Sequence, residues 1–385
     1  NFLVSLPKMF SKKIGILGGG QLGKMLCLAV GKWHLDISIL DPDAAAPARH
    51  FCNYFEQGDF KDYETVLQFG RKVDVLTIEI EHVNEAALFQ LEREGKVVHP
   101  RPSALSLIKD KGLQKEFYQK NGIPTAEFAC FADKKALKKG LETWQLPCVW
   151  KSRTGGYDGK GVSILKTLDD VEKLPDVPCL LEKMVAIDKE IAVIAARNSD
   201  GNAAVYQSVE MEFDETANLL DMQLAPAYVS RRTENLVRKI ALDLIEKLDI
   251  CGVLAVEFFQ TSRGEILVNE VAPRPHNSGH HTIEASITSQ FEQHIRGILN
   301  LPLGDTRLTS ASVMFNLLGT PPFEGDARYK NFEKALDTGG VFVHRYGKAK
   351  TKPFRKMGHV NVLAEDVEIA YEKAIALKKI LKIEA

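Results

Sequence analysis

Lys151 stands near the end of the run CVWKS, and the segment TGGYDGKG, Thr154 to Gly161, follows after Arg153. A strand-end lysine beside a glycine-rich loop is suited to holding phosphates. Gly155, Gly156, Gly159 and Gly161 let the backbone approach an anion, and its N–H groups can cradle oxygens. Lys151 would reach an α- or β-phosphate. Lys160 would do the same or be a solvated loop lysine. The P-loop spacing GxxxxGK[ST] is absent. A mobile surface loop of this composition is the plainer alternative.

Two carboxylates follow further along. Glu257 and Glu270 lie in apolar segments on either side of TSRG. A tight hairpin there predicts a register that pairs Glu257 with Val268, so that Glu257, Val268 and Glu270 share one face. Unpaired charge in apolar surroundings is costly, and a bound Mg²⁺ would resolve that cost. Asn269 has the wrong parity unless the strand end twists. Ion pairing to arginine or lysine is the bland alternative. A glycosidase acid pair is another, but it leaves the glycine-rich loop without a purpose. Taken together, Lys151, the loop and the two acids predict a site for a nucleoside triphosphate and its metal. Glu182 sits beside Lys183, Met184 and Val185, a segment able to read adenine through its backbone. Glu190 could accept from ribose hydroxyls. Alone, either acid reads as a solvated surface residue. Directly after Glu270 comes VAPRPHNSGHHT, dense in donors for a phosphate or a small anion, with Pro273 and Pro275 stiffening the backbone. His280 and His281 read as neutral structural residues, and their adjacency argues against a three-histidine zinc site.

GGGQLG, with Gly18, Gly20 and Gly23, fits a dinucleotide fingerprint, and Asp41 ends the next strand where a ribose-binding acid belongs. The same turn would suit a small phosphorylated ligand or simple strand–helix packing.

The elements that must position these residues alternate. Lys13–Leu17, Ile37–Leu40, Val73–Glu79 and Val97–His99 read as strands, with helices at Leu22–Val30 and Asn84–Glu94, which predicts a parallel α/β unit. A helix from Ser103 or Leu105 to about Asn121, capped by Gly122, opens a second unit. It continues with strands at 148–152, 162–165, 179–182, 190–196, 252–260 and 265–271. Ile240, Leu244 and Leu248 mark one face of a helix. A third region starts near Leu301 and ends in a helix over Val367 to Ile380. The expected division is 10–102, 103–300 and 301–385.

The chain has 385 residues, 45% hydrophobic and 26% charged, with 50 Lys plus Arg against 51 Asp plus Glu. That balance gives no support to a nucleic-acid surface. No apolar run reaches about 18 residues, so no membrane span is expected and a cytoplasmic location is the default. NFLVSLPK, before Met9, reads neither as a full secretory signal nor as a helix. Six cysteines without a CxxC pair predict free thiols in a reducing compartment.

KIGILGGGQLGKM, WKSRTGGYDGKG, LEKMV, VEFF, NEVAPRPHNSGHHT and KMGHV resemble the N5-carboxyaminoimidazole ribonucleotide synthases, ATP-grasp ligases of de novo purine synthesis. The resemblance runs from Lys12 across nearly the whole chain. It implies an α/β and α+β multidomain protein: a Rossmann-like N-terminal domain, an ATP-grasp fold and a small C-terminal domain packing on the grasp core. It implies ATP and Mg²⁺, with aminoimidazole ribonucleotide and bicarbonate as substrates, carboxyphosphate as intermediate, and a homodimer. Carried over, Lys111, Lys115, Lys151, Glu182, Lys183, Val185, Glu190 and Asn269 resemble the nucleotide contacts. Glu257 and Glu270 resemble the metal ligands. Gln21, Glu79, Tyr157, Asp158, Arg274, His276, Asn277 and Ser278 resemble the ribonucleotide site. Lys348, Arg355 and Lys356 resemble the phosphate-binding turn. Arg274 would clamp bicarbonate, or else be salt-bridged to Glu257 or Glu270; His276 would be a base or orient the amine. The family often has arginine where Lys111 stands, and lysine keeps the charge but loses the fork. Another ATP-grasp ligase, such as a formate-using phosphoribosylglycinamide transformylase or biotin carboxylase, would share the nucleotide chemistry. A non-catalytic ATP-binding regulator and a nicotinamide dehydrogenase are the rivals from other classes.

Overall fold

The computed structural model describes residues 11–155, 161–214 and 219–385. The N-terminal stretch before Ser11 and the loop residues Gly156, Tyr157, Asp158, Gly159 and Lys160 lie outside the described residues.

Short apolar runs make the first sheet. β1 (Lys13–Leu17), β2 (Asp36–Asp41), β3 (Tyr54–Gln57), β4 (Val75–Ile78) and β5 (Val97–His99) are parallel and ordered β3-β2-β1-β4-β5. Ile14, Ile16, Val75, Leu76 and Ile78 are fully buried, as strands covered on both faces require. The strand order reverses between β1 and β4, so the crevice at their carboxyl ends is where such sheets place ligands. GGGQLG leaves β1 there and enters helix α1 (Gln21–Val30), and Glu79 and Glu81 leave β4.

The helix expected as one piece from 103 to 121 is two: α2 (Pro102–Lys109) and α3 (Lys111–Lys120). Asp110 breaks it. Its backbone is extended, and its Oδ1 accepts from the amides of Gly112 and Leu113 at 2.8 and 3.1 Å. Aspartate competes for those amides better as an N-cap than it supports a helix interior. Gly122 follows α3 at φ +67, the left-handed position glycine tolerates.

Two antiparallel sheets form the middle of the molecule. The smaller has β6 (Phe128–Phe131), β7 (Cys148–Ser152), β8 (Val162–Leu165) and β9 (Cys179–Lys183) in the order β6-β9-β7-β8. The larger begins with β10 (Ile187–Arg197), β11 (Ala203–Val205), β12 (Val209–Asp214) and β13 (Leu219–Ala225). After helix α4 (Arg231–Lys247) come β14 (Gly252–Thr261) and β15 (Ile266–Ala272). Beyond helix α5 (Gln290–Ile298), the third region adds β16 (Ala311–Leu318), β17 (Val341–Arg345) and β18 (Lys356–Ala364) to the same sheet. Its order is β15-β14-β10-β12-β13-β16-β18-β17, with β11 beside β10. The third region is thus joined to the second by a backbone ladder, Met222 opposite Phe315 and Leu224 opposite Val313. The last helix, α6, spans Val367–Ile380.

Strand parity separates core from site. Ile191, Val193, Leu254, Val256 and Phe258 face the apolar side of α4, where Val237, Ala241, Leu244 and Ile245 are buried. The alternate residues Glu190, Ala192 and Glu257 therefore share the opposite face, with Ala192 directly across from Glu257. All six cysteines are free thiols, Cys52 and Cys130 half-buried and the rest buried. Among the described residues no helix is long and apolar enough to cross a membrane.

Gly18 sits at φ +99, and a Cβ there would lie 2.5 Å from Cγ of Glu79. Gly18→Ala is expected to cost about 1–3 kcal/mol through backbone strain and displacement of Glu79. A thermal melt checks this, and an unchanged midpoint would mean that the turn relaxes freely.

Candidate active site

Three lysines converge from two elements. Lys151, at the end of β7, lies 3.0 Å from Glu182 Oε2 and donates to Asn269 Oδ1 at 3.2 Å. Lys115, on α3, lies 3.1 Å from Glu182 Oε1 and donates to Thr125 Oγ1 at 2.5 Å. Lys111, at the start of α3, donates to Glu270 Oε2 at 2.7 Å. Lys115 is 3% exposed, Glu182 4% and Lys151 9%, so Glu182 is a buried counter-ion and not a solvated surface acid. Burial lowers Lys115 to about 8, against the attraction of Glu182 and with the help of Lys151. Burial also opposes the charge on Glu182, but Lys151 and Lys115 outweigh it and hold the carboxyl low. Lys183 and Val185 continue from Glu182, and the Lys183 amide bonds the carbonyl of Glu127.

The expected hairpin register is off by one. Phe258 pairs with Val268 and Val256 with Val271, so two residues, Asn269 and Glu270, stand opposite Glu257. This is a β-bulge, and it resolves the parity problem. Val268 and Val271 both enter the core, and the extra residue lets consecutive Asn269 and Glu270 reach Lys151 and Lys111. A hairpin without the bulge would have sent one of the pair into the core.

Glu190, Glu257 and Glu270 then crowd one space. Burial raises Glu190 to about 7, and Glu270 pushes the same way. Burial, Glu270 and Glu190 raise Glu257. For Glu270 burial is outweighed by Lys111, which keeps it low; its side chain stays 45% exposed toward the cleft. Among the described residues no three acid, histidine or cysteine side chains converge to hold a metal alone. Two carboxylates and an amide oxygen nevertheless fit Mg²⁺, which takes its remaining oxygens from phosphates and water.

The run after Glu270 is held in shape by a residue the sequence did not single out. Gln290 accepts from the His276 amide at 2.9 Å and donates to its carbonyl at 2.7 Å. His276 Nδ1 accepts from the Ser278 amide at 3.3 Å and contacts the Ser278 hydroxyl at 2.9 Å. Since the amide can only donate, the ring proton sits on Nε2, 3.7 Å from Glu257 Oε1. Burial and Arg274 push His276 down to about 4, so it is neutral at pH 7. That tautomer makes its exposed edge a donor, which favours orientation over a base role. Asn277 Nδ2 is buried without a hydrogen-bond partner. His281 contacts Gln223 Nε2 through Nδ1, and His280 stacks on His359.

Arg274 is ion-paired, but to neither expected acid. Its Nη2 lies 2.8 Å from Oε1 of Glu81, in the segment that follows β4, so the pair bridges the first and second units. Lys356 is near enough that its charge lowers both Glu257 and His276. Lys348 donates to the Lys356 carbonyl, which shapes this turn, whereas Arg355 donates to the carbonyl of Lys350.

The first glycine turn is filled by the protein itself. The amides of Gly20 and Gly23 donate to Glu79 at 3.0 and 2.9 Å, and Gly19 donates to Asp41 at 2.6 Å. The anion at the start of α1 is therefore the Glu79 carboxylate, which corrects the reading of this turn as a phosphate or dinucleotide cradle. Burial raises Glu79, while the two amides and Arg274 lower it. Gln21 begins α1 half-buried beside it.

Two antiparallel sheets presenting lysines on one side and carboxylates on the other define an ATP-grasp protein. Residues 116–291 match the ATP-grasp domain, 11–109 the ribonucleotide synthetase preATP-grasp domain, and 312–373 the phosphoribosylaminoimidazole carboxylase C-terminal domain. The crystal structure of the N5-carboxyaminoimidazole ribonucleotide synthetase from Thermotoga maritima is 44% identical, covering 97% of this chain and 99% of that one, with a TM-score of 0.90. The Aspergillus clavatus synthase in complex with ADP and 5-aminoimidazole ribonucleotide is 32% identical over 96% and 98%, TM-score 0.88. The synthase of Brucella melitensis is 36% identical, covering 90% of this chain and 95% of that protein. The chain belongs to the N5-carboxyaminoimidazole ribonucleotide synthase family. It also matches longer proteins: it spans 65% of the chloroplastic phosphoribosylaminoimidazole carboxylase of Vigna aconitifolia, at 36% identity over 93% of its own length.

The raised carboxylates give a signed prediction. A carboxyl raised in the fold stabilises it below its ordinary value and loses that contribution as pH rises, for Glu190 through about 7. Glu257→Gln removes one like charge, so it is expected to melt above the parent at pH 8 without divalent cation. The gap should narrow at pH 5, and Mg²⁺ with ADP should stabilise only the parent. A variant less stable at pH 8 would contradict the crowding of charge.

Proposed function

We propose that the protein carboxylates 5-aminoimidazole ribonucleotide to N5-carboxyaminoimidazole ribonucleotide, using ATP and bicarbonate and releasing ADP and phosphate. The observation that carries this reading is the direct continuation of the carboxylate strand, through Glu270, into Arg274 and His276, which meet Glu81 and lie near Lys356. In this reading the nucleotide lies between the lysines and the carboxylates, and the acceptor lies beyond Arg274, toward the strand-order reversal of the first sheet from which Glu81 leaves. The family membership and the relative that holds ADP and 5-aminoimidazole ribonucleotide support it.

In this reading Lys111, Lys115 and Lys151 hold the triphosphate, Glu182, Lys183 and Val185 border the base, and Glu190 meets the ribose. Glu257, Glu270 and Asn269 would hold Mg²⁺, which when bound would neutralise charge on the phosphates. Bicarbonate oxygen attacks the γ-phosphorus, the bond to ADP breaks, and carboxyphosphate forms. The exocyclic amine then attacks the carboxyl carbon, phosphate leaves with the bonding pair, and the amine loses a proton. Arg274 holds the carboxylate through both steps, in the manner of a preorganised charge clamp. His276 offers its Nε2 proton to orient the acceptor, with Asn277 and Ser278 beside it. Lys348, Arg355 and Lys356 serve the ribonucleotide phosphate, and the resemblance assigns Tyr157 and Asp158, which lie outside the described residues, to the ribonucleotide as well. Glu79, engaged with the Gly20 and Gly23 amides, acts on the ribonucleotide by shaping the turn that carries Gln21. Exclusion of water protects carboxyphosphate from hydrolysis. A cytoplasmic homodimer completes the proposal.

ADP release with ATP and Mg²⁺ tests it, omitting bicarbonate or the ribonucleotide in turn. Strong stimulation by the ribonucleotide, with labelled bicarbonate entering an acid-labile product, is expected. Turnover with formate and glycinamide ribonucleotide instead would keep the ATP-grasp chemistry and overturn the substrate. Arg274→Ala is expected to lower kcat by roughly 100-fold or more, since it removes a preorganised charge.

A further inference from the structure

A single carboxylate ties the root of the glycine-rich loop to the lysine helix. Asp110 Oδ1 caps α3 through the amides of Gly112 and Leu113. The same side chain receives a two-pronged bond from Arg153, Nε to Oδ1 at 2.8 Å and Nη2 to Oδ2 at 2.7 Å. The backbone doubles the link, since the Lys111 amide donates to the Arg153 carbonyl at 2.8 Å. Arg153 in turn donates its own amide to the carbonyl of Pro178, just before β9. Gly112 leaves room for the fork: a Cβ there would lie 2.7 Å from Arg153 Nε.

We propose that Asp110 and Arg153 are a positioning pair that sets Lys111 and Lys115 against Lys151. Arg153 lies two residues beyond Lys151, and Asp110 one residue before Lys111, so the pair fixes the offset between β7 and α3. That offset decides whether Lys151 and Lys115 can share Glu182, as they do at 3.0 and 3.1 Å. A forked guanidinium–carboxylate bond resists both rotation and sliding, which a lysine contact would not. Neither residue needs to touch the nucleotide. Its effect passes through the lysines, whose placement governs how well the phosphates are held. The inference rests on the nucleotide reading of this pocket and not on which acceptor is carboxylated.

Two variants separate positioning from capping. Asp110→Asn keeps a good N-cap but removes the charge of the fork. Arg153→Lys keeps the charge but loses the fork. Both are expected to weaken ADP, measured by calorimetry with Mg²⁺, by about fivefold or more and to raise KM for ATP in step, because misplaced charged contacts lose affinity steeply. The double variant should be no weaker than the worse single one, since the two act as one unit. Asp133→Ala removes the N-cap of the helix at Lys134–Leu141 and serves as control: its stability falls while its ADP affinity stays. Unchanged ADP affinity in both Asp110→Asn and Arg153→Lys overturns the proposal, as does an equal loss in the control. Because ADP binding needs no ribonucleotide, failure of the carboxylation assay in the parent protein would sink the proposed function and leave this titration readable.

Discussion

The site is organised around one buried carboxylate shared by two ammonium groups. Glu182 is almost fully enclosed, and its two oxygens face Lys115 and Lys151. Burying a charge without partners would cost more than any single contact in the fold returns, so the three must be assembled together or not at all. They come from three separate elements: α3, β7 and β9. The triad is therefore a constraint on how the helix sits against the small sheet. Thr125 adds a neutral support, accepting from Lys115 and donating to the Val268 carbonyl, which extends the arrangement to the edge of the large sheet. The net charge around the triad is positive. The face carrying Glu190, Glu257 and Glu270 is negative, and Lys111 pairs with its Glu270 directly. A polyanion bearing a divalent cation is complementary to both sides at once.

Much of this was legible in the chain because the relevant signals are local. Alternating strands and helices set the parallel unit, and the strand-end Lys151 marked the cationic side of the site. Glu257 and Glu270 could be paired as acids from the hairpin alone. What the sequence hid were the irregularities. The bulge at Glu257 depends on which of two registers buries Val268 and Val271, a choice made by the core on the far side of the sheet. The break at Asp110 depends on an arginine 43 positions away that rewards a fresh cap. Arg274 found Glu81 from another unit, which no local pattern announces. Gln290 has no motif at all; only the fold brings it beneath His276.

The glycine-rich turn after β1 illustrates a different failure. Its spacing satisfies a nucleotide fingerprint, and its physics is that of an anion-binding helix start. The anion is simply internal. Glu79, from the neighbouring strand, takes the amides that a phosphate would take, and Asp41 takes the next one. A motif specifies donors; whether a ligand or the protein's own side chain answers them is decided by what the adjacent strand carries at its carboxyl end.

The ladder between β13 and β16 has a consequence for the integrity of the molecule. Because the third region enters the large sheet as strands, the boundary near residue 301 is not a seam. Severing the chain there would expose the backbone edge of Leu219–Ala225, a mostly apolar and buried strand, as a template for foreign strands. The two regions thus share one folding fate, and the carboxyl-terminal region acts as the sealing edge of the sheet on which the carboxylates stand.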